Sequence, residues 1–279
     1  VLDTDKLVQG IEQLGNGAGK EGSEHSSSPK GSLEEKQDER YSIETKDGVT
    51  VNTPADTDIL TTYVLLEQEE WFEPELVFVR QFLQPGMTVI DAGASFGTYS
   101  LPMAKQVGAE GAVYAFEPGA RVKRHLEVSK MENGFDHLEV VGRGLGENAG
   151  EVFIETAETP ELNRVSEQGK ETVPLTSLDA WWGFAGKPEI DFMKVDVNGM
   201  ESDVLAGGSW MFEEKKPVVL AAIGENEESF TSLQEQLKGF DYQLFEYIPG
   251  PNVLADYDSE AAMDPYQMNV IGIPESRIQ

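Results

Sequence analysis

Apolar positions along this chain change rhythm several times, and each change marks an element. Leu7, Ile11 and Leu14 fall at helical spacing and predict a short amphipathic helix. From Gly15 to Arg40 large apolar residues almost vanish, while Gly, Ser and charged residues take over. Such a stretch cannot bury enough surface to offset its ordering entropy, so it reads as a flexible linker. Period-2 alternation begins at Tyr41 and turns around Lys46-Asp47-Gly48, which predicts a β-hairpin. Residues 59–84 return to helical spacing and predict one or two helices, with Pro74 opening the second and Pro85-Gly86 ending it. Trp71 and Phe72 sit at the junction, as core residues or as a lid over a ligand.

From Thr88 onward, short apolar runs alternate with helical stretches. Val89-Ile90, Ala112–Phe116, Leu138–Leu145, Ile190–Val197 and Pro217–Gly224 read as strands, the fourth nearly continuous as expected where both faces are covered. Helices are predicted over Tyr99–Val107, Arg121–Met131 and Phe230–Phe240. The segments EVFIETAE and ETVPL form a hairpin-like excursion around a polar stretch, residues 156–171. The strands YQLFEYI and QMNVIGIP close the chain. Repeated strand–helix units with an antiparallel tail predict an α/β, Rossmann-like fold with a mixed seven-stranded sheet. The domain reading is a flexible segment over 1–40, a hairpin and helices packing on the core over 41–87, and the Rossmann-like domain over 88–279.

The chemistry concentrates at TVIDAGASFGTYS, residues 88–100, where a strand runs into Asp91 and a tight small-residue turn. Glycine lets a ligand approach the backbone, and the first N–H groups of the next helix make a positive end. A dinucleotide fingerprint would need glycines at Gly93, Ser95 and Thr98, and only the first matches. Asp91, Gly93, Ser95 and Gly97 instead give an acidic residue followed by small residues at alternate positions, the turn that receives S-adenosylmethionine. The next strand ends in Glu117, whose carboxylate can accept hydrogen bonds from two ribose hydroxyls. Lys194 and Asp196 interrupt the fourth apolar strand. They are expected to emerge at the carboxyl end of the sheet, where open α/β sheets bind ligands.

Composition narrows the partners. The chain has 279 residues, 21 basic against 51 acidic, and a formal net charge of -30. Such a surface repels nucleic-acid backbones and anionic lipid heads, and the small basic group Arg121, Lys123, Arg124 and His125 does not overcome it. There are no cysteines, so disulfides, thiolate metal sites and cysteine nucleophiles are excluded. No apolar run approaches the roughly 18 residues of a membrane span, and the first residues lack a signal-peptide pattern. The expectation is a cytoplasmic protein with neither nucleic acid nor membrane as partner. His125 and His137 fall at predicted exposed positions and are expected to be bystanders.

Together the blocks TVIDAGASFGTYSLPMA, AVYAFEPGARVKRHLEVSKMENG, TVPLTSLDAWW, IDFMKVDVNGMESDVLAGG and MNVIGIP resemble the FkbM family of S-adenosylmethionine-dependent O-methyltransferases, over about Trp71 to Pro274. The resemblance implies a class I methyltransferase fold with helices on both faces of the sheet, and methylation of a hydroxyl on a small molecule, sugar or glycan. By position, Asp91, Gly93, Ala94, Ser95, Gly97, Glu117, Pro118 and Asp196 would hold the donor. Asp196 would face the reacting methyl. Two positions depart from the pattern: Asn198 stands where the family usually has glutamate, and Ala222 aligns where the fifth strand usually ends in glutamate. A hydroxyl needs a base or a metal as it attacks, and the candidates are Asp196, Lys194 and Glu201. Asp196 with Glu225 and Asn226 would alternatively form an oxygen-rich trio for Mg²⁺. The departures also raise a competing reading, a binding or scaffold protein that keeps the donor pocket without turnover.

Overall fold

The computed structural model describes residues 39–155, 164–165, 169, 171–223, 227–258 and 267–278. The leading helix, the linker and most of the polar stretch at 156–171 lie outside them. The alternation after Tyr41 folds into an antiparallel hairpin, β1 (Arg40–Glu44) and β2 (Thr50–Pro54). Its turn closes at Gly48, whose left-handed φ of 65° suits a residue without a side chain. Two helices follow, α1 (Leu60–Gln68) and α2 (Glu75–Phe82), the second opened by Pro74 as its spacing predicts.

The alternating units then build the main sheet: β3 (Thr88–Ala92), α3 (Ser100–Val107), β4 (Ala112–Phe116), α4 (Ala120–Asn133) and β5 (Leu138–Val141). The predicted strand 138–145 breaks in two. Arg143 N–H turns back to the Val141 carbonyl at 2.8 Å, and β6 (Gly144–Leu145) leaves for a second sheet. There it pairs with β9 (Glu171–Thr176), which also pairs antiparallel with β7 (Gly150–Glu155); β8 (Arg164–Val165) borders β7. The hairpin-like excursion is therefore a four-stranded sheet in the order β6-β9-β7-β8.

The chain returns through α5 (Leu178–Phe184), β10 (Phe192–Val195), α6 (Glu201–Ala206), α7 (Ser209–Lys215) and β11 (Val218–Ala222). It ends in α8 (Glu227–Gly239), β12 (Tyr242–Ile248), β13 (Val253–Asp256) and β14 (Asn269–Pro274). The main-sheet order is β13-β12-β14-β11-β10-β3-β4-β5. β14 runs antiparallel to both neighbours, whereas β4, β5, β10 and β11 are parallel to β3. The mixed Rossmann-like sheet is as expected, with an eighth strand: β13 folds back antiparallel on β12 at the edge.

Successive residues of a strand point to opposite faces, and here each face has its own core. Val89 and Phe192 join one cluster with Leu101, Val113 and Leu126; Ile90, Met193 and Val195 join the other with Trp182, Phe212 and Leu233. The same alternation puts Asp91 and Lys194 on the Val89–Phe192 face, and they are paired neighbours across β3 and β10. The hairpin rests on α4, where Asn52 N–H donates to Ser129 Oγ at 2.8 Å and Thr50 N–H to Asn133 Oδ1 at 2.8 Å. Two tryptophans of the DAWW stretch are core residues. Asp179 beside them caps α7, accepting from Trp210 N–H at 3.0 Å and Met211 N–H at 2.9 Å.

Candidate functional site

The order of the main sheet reverses at β3: β4 and β5 build out on one side, β10 and β11 on the other. Ligands of open α/β sheets bind at such a switch point, beyond the carboxyl ends of the strands. A cavity of about 330 Å³ opens there, within the range of small-molecule sites. Asp91, Gly93, Ala94, Ser95, Glu117, Pro118, Lys194 and Asp196 all line it. Gly97 sits in the turn behind it and Glu201 on the helix after β10.

The turn is shaped by chain-to-chain contact as much as by ligand access. Gly93 has a φ of 86°, and a Cβ there would overlap the Asp196 carbonyl oxygen. Gly93 and Ala94 both donate to the Phe116 carbonyl, at 3.1 and 3.0 Å, which binds the turn to the end of β4. Ser95 takes a left-handed φ of 48° and donates its N–H to Glu117 Oε2 at 3.0 Å; Gly119 N–H donates to Glu117 Oε1 at 2.7 Å. Burial pushes the Glu117 pKa up to about 7 against the two N–H groups that favour the anion. Each carboxylate oxygen keeps a second lone pair for a ribose hydroxyl.

Asp91 is buried. Ser100 Oγ donates to its Oδ2, while Oδ1 has no hydrogen-bond partner among the described residues. Burial raises its pKa, opposed by Lys194 and Ser100. A buried acceptor without a partner is costly unless a ligand supplies one, and the ammonium of a bound S-adenosylmethionine is such a donor. Turn, ribose carboxylate and orphan acceptor together fit that donor.

Lys194 was expected to emerge with Asp196, but its side chain is buried. Its ammonium meets Asp196 Oδ2 at 2.7 Å and lies 4.6 Å from the centre of the Tyr99 ring. Burial opposes the charge, yet Asp196, Glu73 and Asp91 push the Lys194 pKa above its ordinary value, so it stays an ammonium and orients its neighbour. Asp196 is partly exposed at the end of β10. Glu201 is buried and points its carboxylate inward, where Oε1 accepts from Val197 N–H at 3.0 Å and Gly199 N–H at 3.2 Å. It holds the loop after β10. Asn198 in that loop has a φ of 51°, a conformation asparagine tolerates better than glutamate.

Of the Mg²⁺ trio, Glu225 and Asn226 lie outside the described residues, and Asp196 is already engaged by an ammonium. No group of three or more His, Asp or Glu arranged to hold a metal occurs among the described residues. Among the described residues, therefore, no donor set fits a metal, and no step is routed through one. His125 and His137 are not exposed as predicted: His125 is buried, edge-on to Phe96 at 5.7 Å, and His137 Nε2 contacts the Ala104 carbonyl at 2.8 Å. Both serve packing.

Glu73 carried no sequence signal apart from the neighbouring acidic run. It is buried, lines the cavity and gathers three donors: Trp71 Nε1 at 2.8 Å, Tyr99 hydroxyl at 2.8 Å and Asn269 Nδ2 at 2.9 Å. Trp71, Phe72, Leu60, Thr61 and Met268 complete that end of the cavity.

The strand order and the acidic small-residue turn at the switch point are those of the class I, S-adenosylmethionine-dependent methyltransferase fold. The methyltransferase FkbM domain model matches residues 91–245, more than half of the chain, and the protein belongs to the FkbM methyltransferase family. A search of curated proteins finds no significant match. Among solved structures, an FkbM methyltransferase from Methylobacillus flagellatus matches at 18% identity and a TM-score of 0.49, covering 76% of this chain; this chain spans 53% of that one. An S-adenosylmethionine-dependent O-methyltransferase from Thermotoga maritima matches at 15% identity and TM-score 0.45, over 82% of this chain and 76% of that one. A precorrin-6y C5,15-methyltransferase from Geobacter metallireducens matches at 10% identity and TM-score 0.43, over 71% of this chain and 87% of that one. No helix among the described residues is long and apolar enough to cross a membrane.

Proposed function

We propose that the protein methylates a hydroxyl of a small-molecule or carbohydrate acceptor, with Asp196 as the base. The observation that carries this reading is the Lys194–Asp196 pair: a buried ammonium fixes one oxygen of a partly exposed carboxylate beside the donor turn. The bound donor supplies an electrophilic methyl on its sulfonium. Asp91 receives its ammonium and Glu117 its ribose, which sets the methyl near the end of β10. A hydroxyl hydrogen-bonded to the other oxygen of Asp196 would pass its proton to that carboxylate as its oxygen takes the methyl, the methyl–sulfur bond breaks and S-adenosylhomocysteine leaves. Lys194 contributes charge and orientation, and Glu201 contributes loop geometry. The net charge of -30 supports a small acceptor over nucleic acid.

The test is transfer from isotopically labelled S-adenosylmethionine to a panel of hydroxylated acceptors, with the product mapped by mass spectrometry and NMR. The label is expected on oxygen, and Asp196→Asn should slow turnover about 10²–10³-fold while the donor still binds. A label on carbon or nitrogen, or full turnover by Asp196→Asn, overturns the reading. Donor binding with no product from any acceptor would instead favour the scaffold reading that Asn198 and Ala222 raise.

A further inference from the structure

Residues that precede the matched domain build part of the cavity wall. Trp71 and Phe72 are half-buried there, with ring centroids 4.6 Å apart. The indole N–H of Trp71 is used by Glu73 and the ring also packs on Phe72 and the core, so the part that lines the cavity offers a ligand apolar surface. Glu73 is held in turn by Tyr99 and Asn269. Three donors converge on one buried carboxylate. A glutamine there would offer a single acceptor oxygen and place its own N–H groups among donors.

The placement separates this wall from the donor's ribose. Asn269 opens β14 opposite Ala222, at the end of β11, whereas Glu117 ends β4. Asp91 and Lys194, on the two central strands, lie between these sides. A donor held by Glu117 and Asp91 leaves the β11–β14 side for the second substrate. The charged side chains lining the cavity among the described residues are Glu73, Asp91, Glu117, Asp196 and Lys194, and the single cation is engaged by Asp196. An anionic acceptor would lose its hydration among carboxylates without gaining a cation.

We infer that Trp71, oriented by Glu73, is the acceptor-selecting wall of this enzyme, and that it takes an uncharged, hydroxylated ring against the indole face. The inference rests on the methyl-transfer reading above. Sugars and phenols share this chemistry, and phosphorylated or carboxylated rings do not.

The experiment is saturation-transfer NMR on the full chain loaded with S-adenosylhomocysteine. The probes are neutral methyl glycosides and phenols beside uronic acids, sugar phosphates and phenyl phosphate. Uncharged rings should bind at least about tenfold more tightly than their anionic counterparts. Trp71→Ala should remove that binding, Trp71→Phe should retain most of it, and both variants should bind S-adenosylhomocysteine within about threefold of wild type. The glycoside and phenol arms identify which source the wall accepts. Equal binding of anionic rings, no ring binding, ring binding unchanged in Trp71→Ala, or donor-product affinity lost in that variant each overturns the inference. If S-adenosylhomocysteine does not bind wild type, the methyl-transfer reading fails with it; if it binds without Trp71-dependent ring binding, the acceptor wall alone fails.

Discussion

The proposed donor side and the proposed acceptor side of this cavity are built differently. The donor side comes from two short stretches, Asp91–Gly97 and Glu117–Gly119, joined by backbone N–H groups of Gly93, Ala94, Ser95 and Gly119. The proposed acceptor side draws on Trp71–Glu73, Tyr99 and Asn269, joined by side chains at Glu73; its Glu73–Asn269 bond spans 196 positions. Backbone contacts tolerate many side chains but few φ values. Side-chain contacts have the opposite tolerance. One side can therefore persist while the other changes its ligand, an arrangement suited to a shared methyl donor and variable acceptors.

The contrast breaks most sharply at Gly93. Gly93→Ala forces a Cβ against the Asp196 carbonyl at a left-handed φ, and should cost on the order of 3 kcal/mol in urea unfolding together with donor binding. A wild-type midpoint would show that the turn is not constrained this way. Glu73→Gln tests the other side. Loss of one of three buried bonds should cost about 2 kcal/mol of stability, with S-adenosylhomocysteine affinity retained and Trp71 fluorescence shifted. A large loss of donor-product affinity would merge the two sides.

Glu117→Gln should weaken donor binding about tenfold at pH 8, because a neutral amide accepts ribose hydroxyls less strongly. In wild type the affinity should rise between pH 6 and pH 8 as Glu117 ionises about pH 7, and the variant should lose that dependence in calorimetry. Stability moves the other way. Glu75 and Glu117 both have folded pKa values raised to about 7 from an ordinary 4.5, so the folded state holds more protons in that window. Their contribution is present below pH 4.5 and is lost as pH rises through 7. Glu75→Gln should flatten this fall in a pH series of thermal unfolding without touching the donor. The smallest effect is expected at Ser177, whose Oγ caps α5 by accepting from Ala180 N–H at 3.2 Å. Ser177→Ala should cost about 1 kcal/mol and leave ligand binding unchanged.

These two sides were not equally legible. The strands that lead to Asp91 and Glu117 could be read because they announce themselves by apolar runs, and both residues line the cavity. The break between Val141 and Gly144 could not. Gly142 and Arg143 interrupt that stretch without fixing its course, and only the strands' partners decide that one half joins the main sheet and the other the small one. Lys194 misled for a related reason. The cost of burying a charge argues for exposure, yet Glu73 and Asp91 from other elements join Asp196 around it and offset that cost.

What the chain determined alone was the strand–helix alternation of the main sheet and the family, since these depend on contacts within a few residues or on repeated strand–helix units. Tertiary structure decided which groups share one cavity. It turned Glu201 inward to hold a loop, buried Lys194 against Asp196, and brought Glu73 to Asn269. Such pairings leave no periodic trace, because their energy comes from groups that meet only after the sheet has assembled.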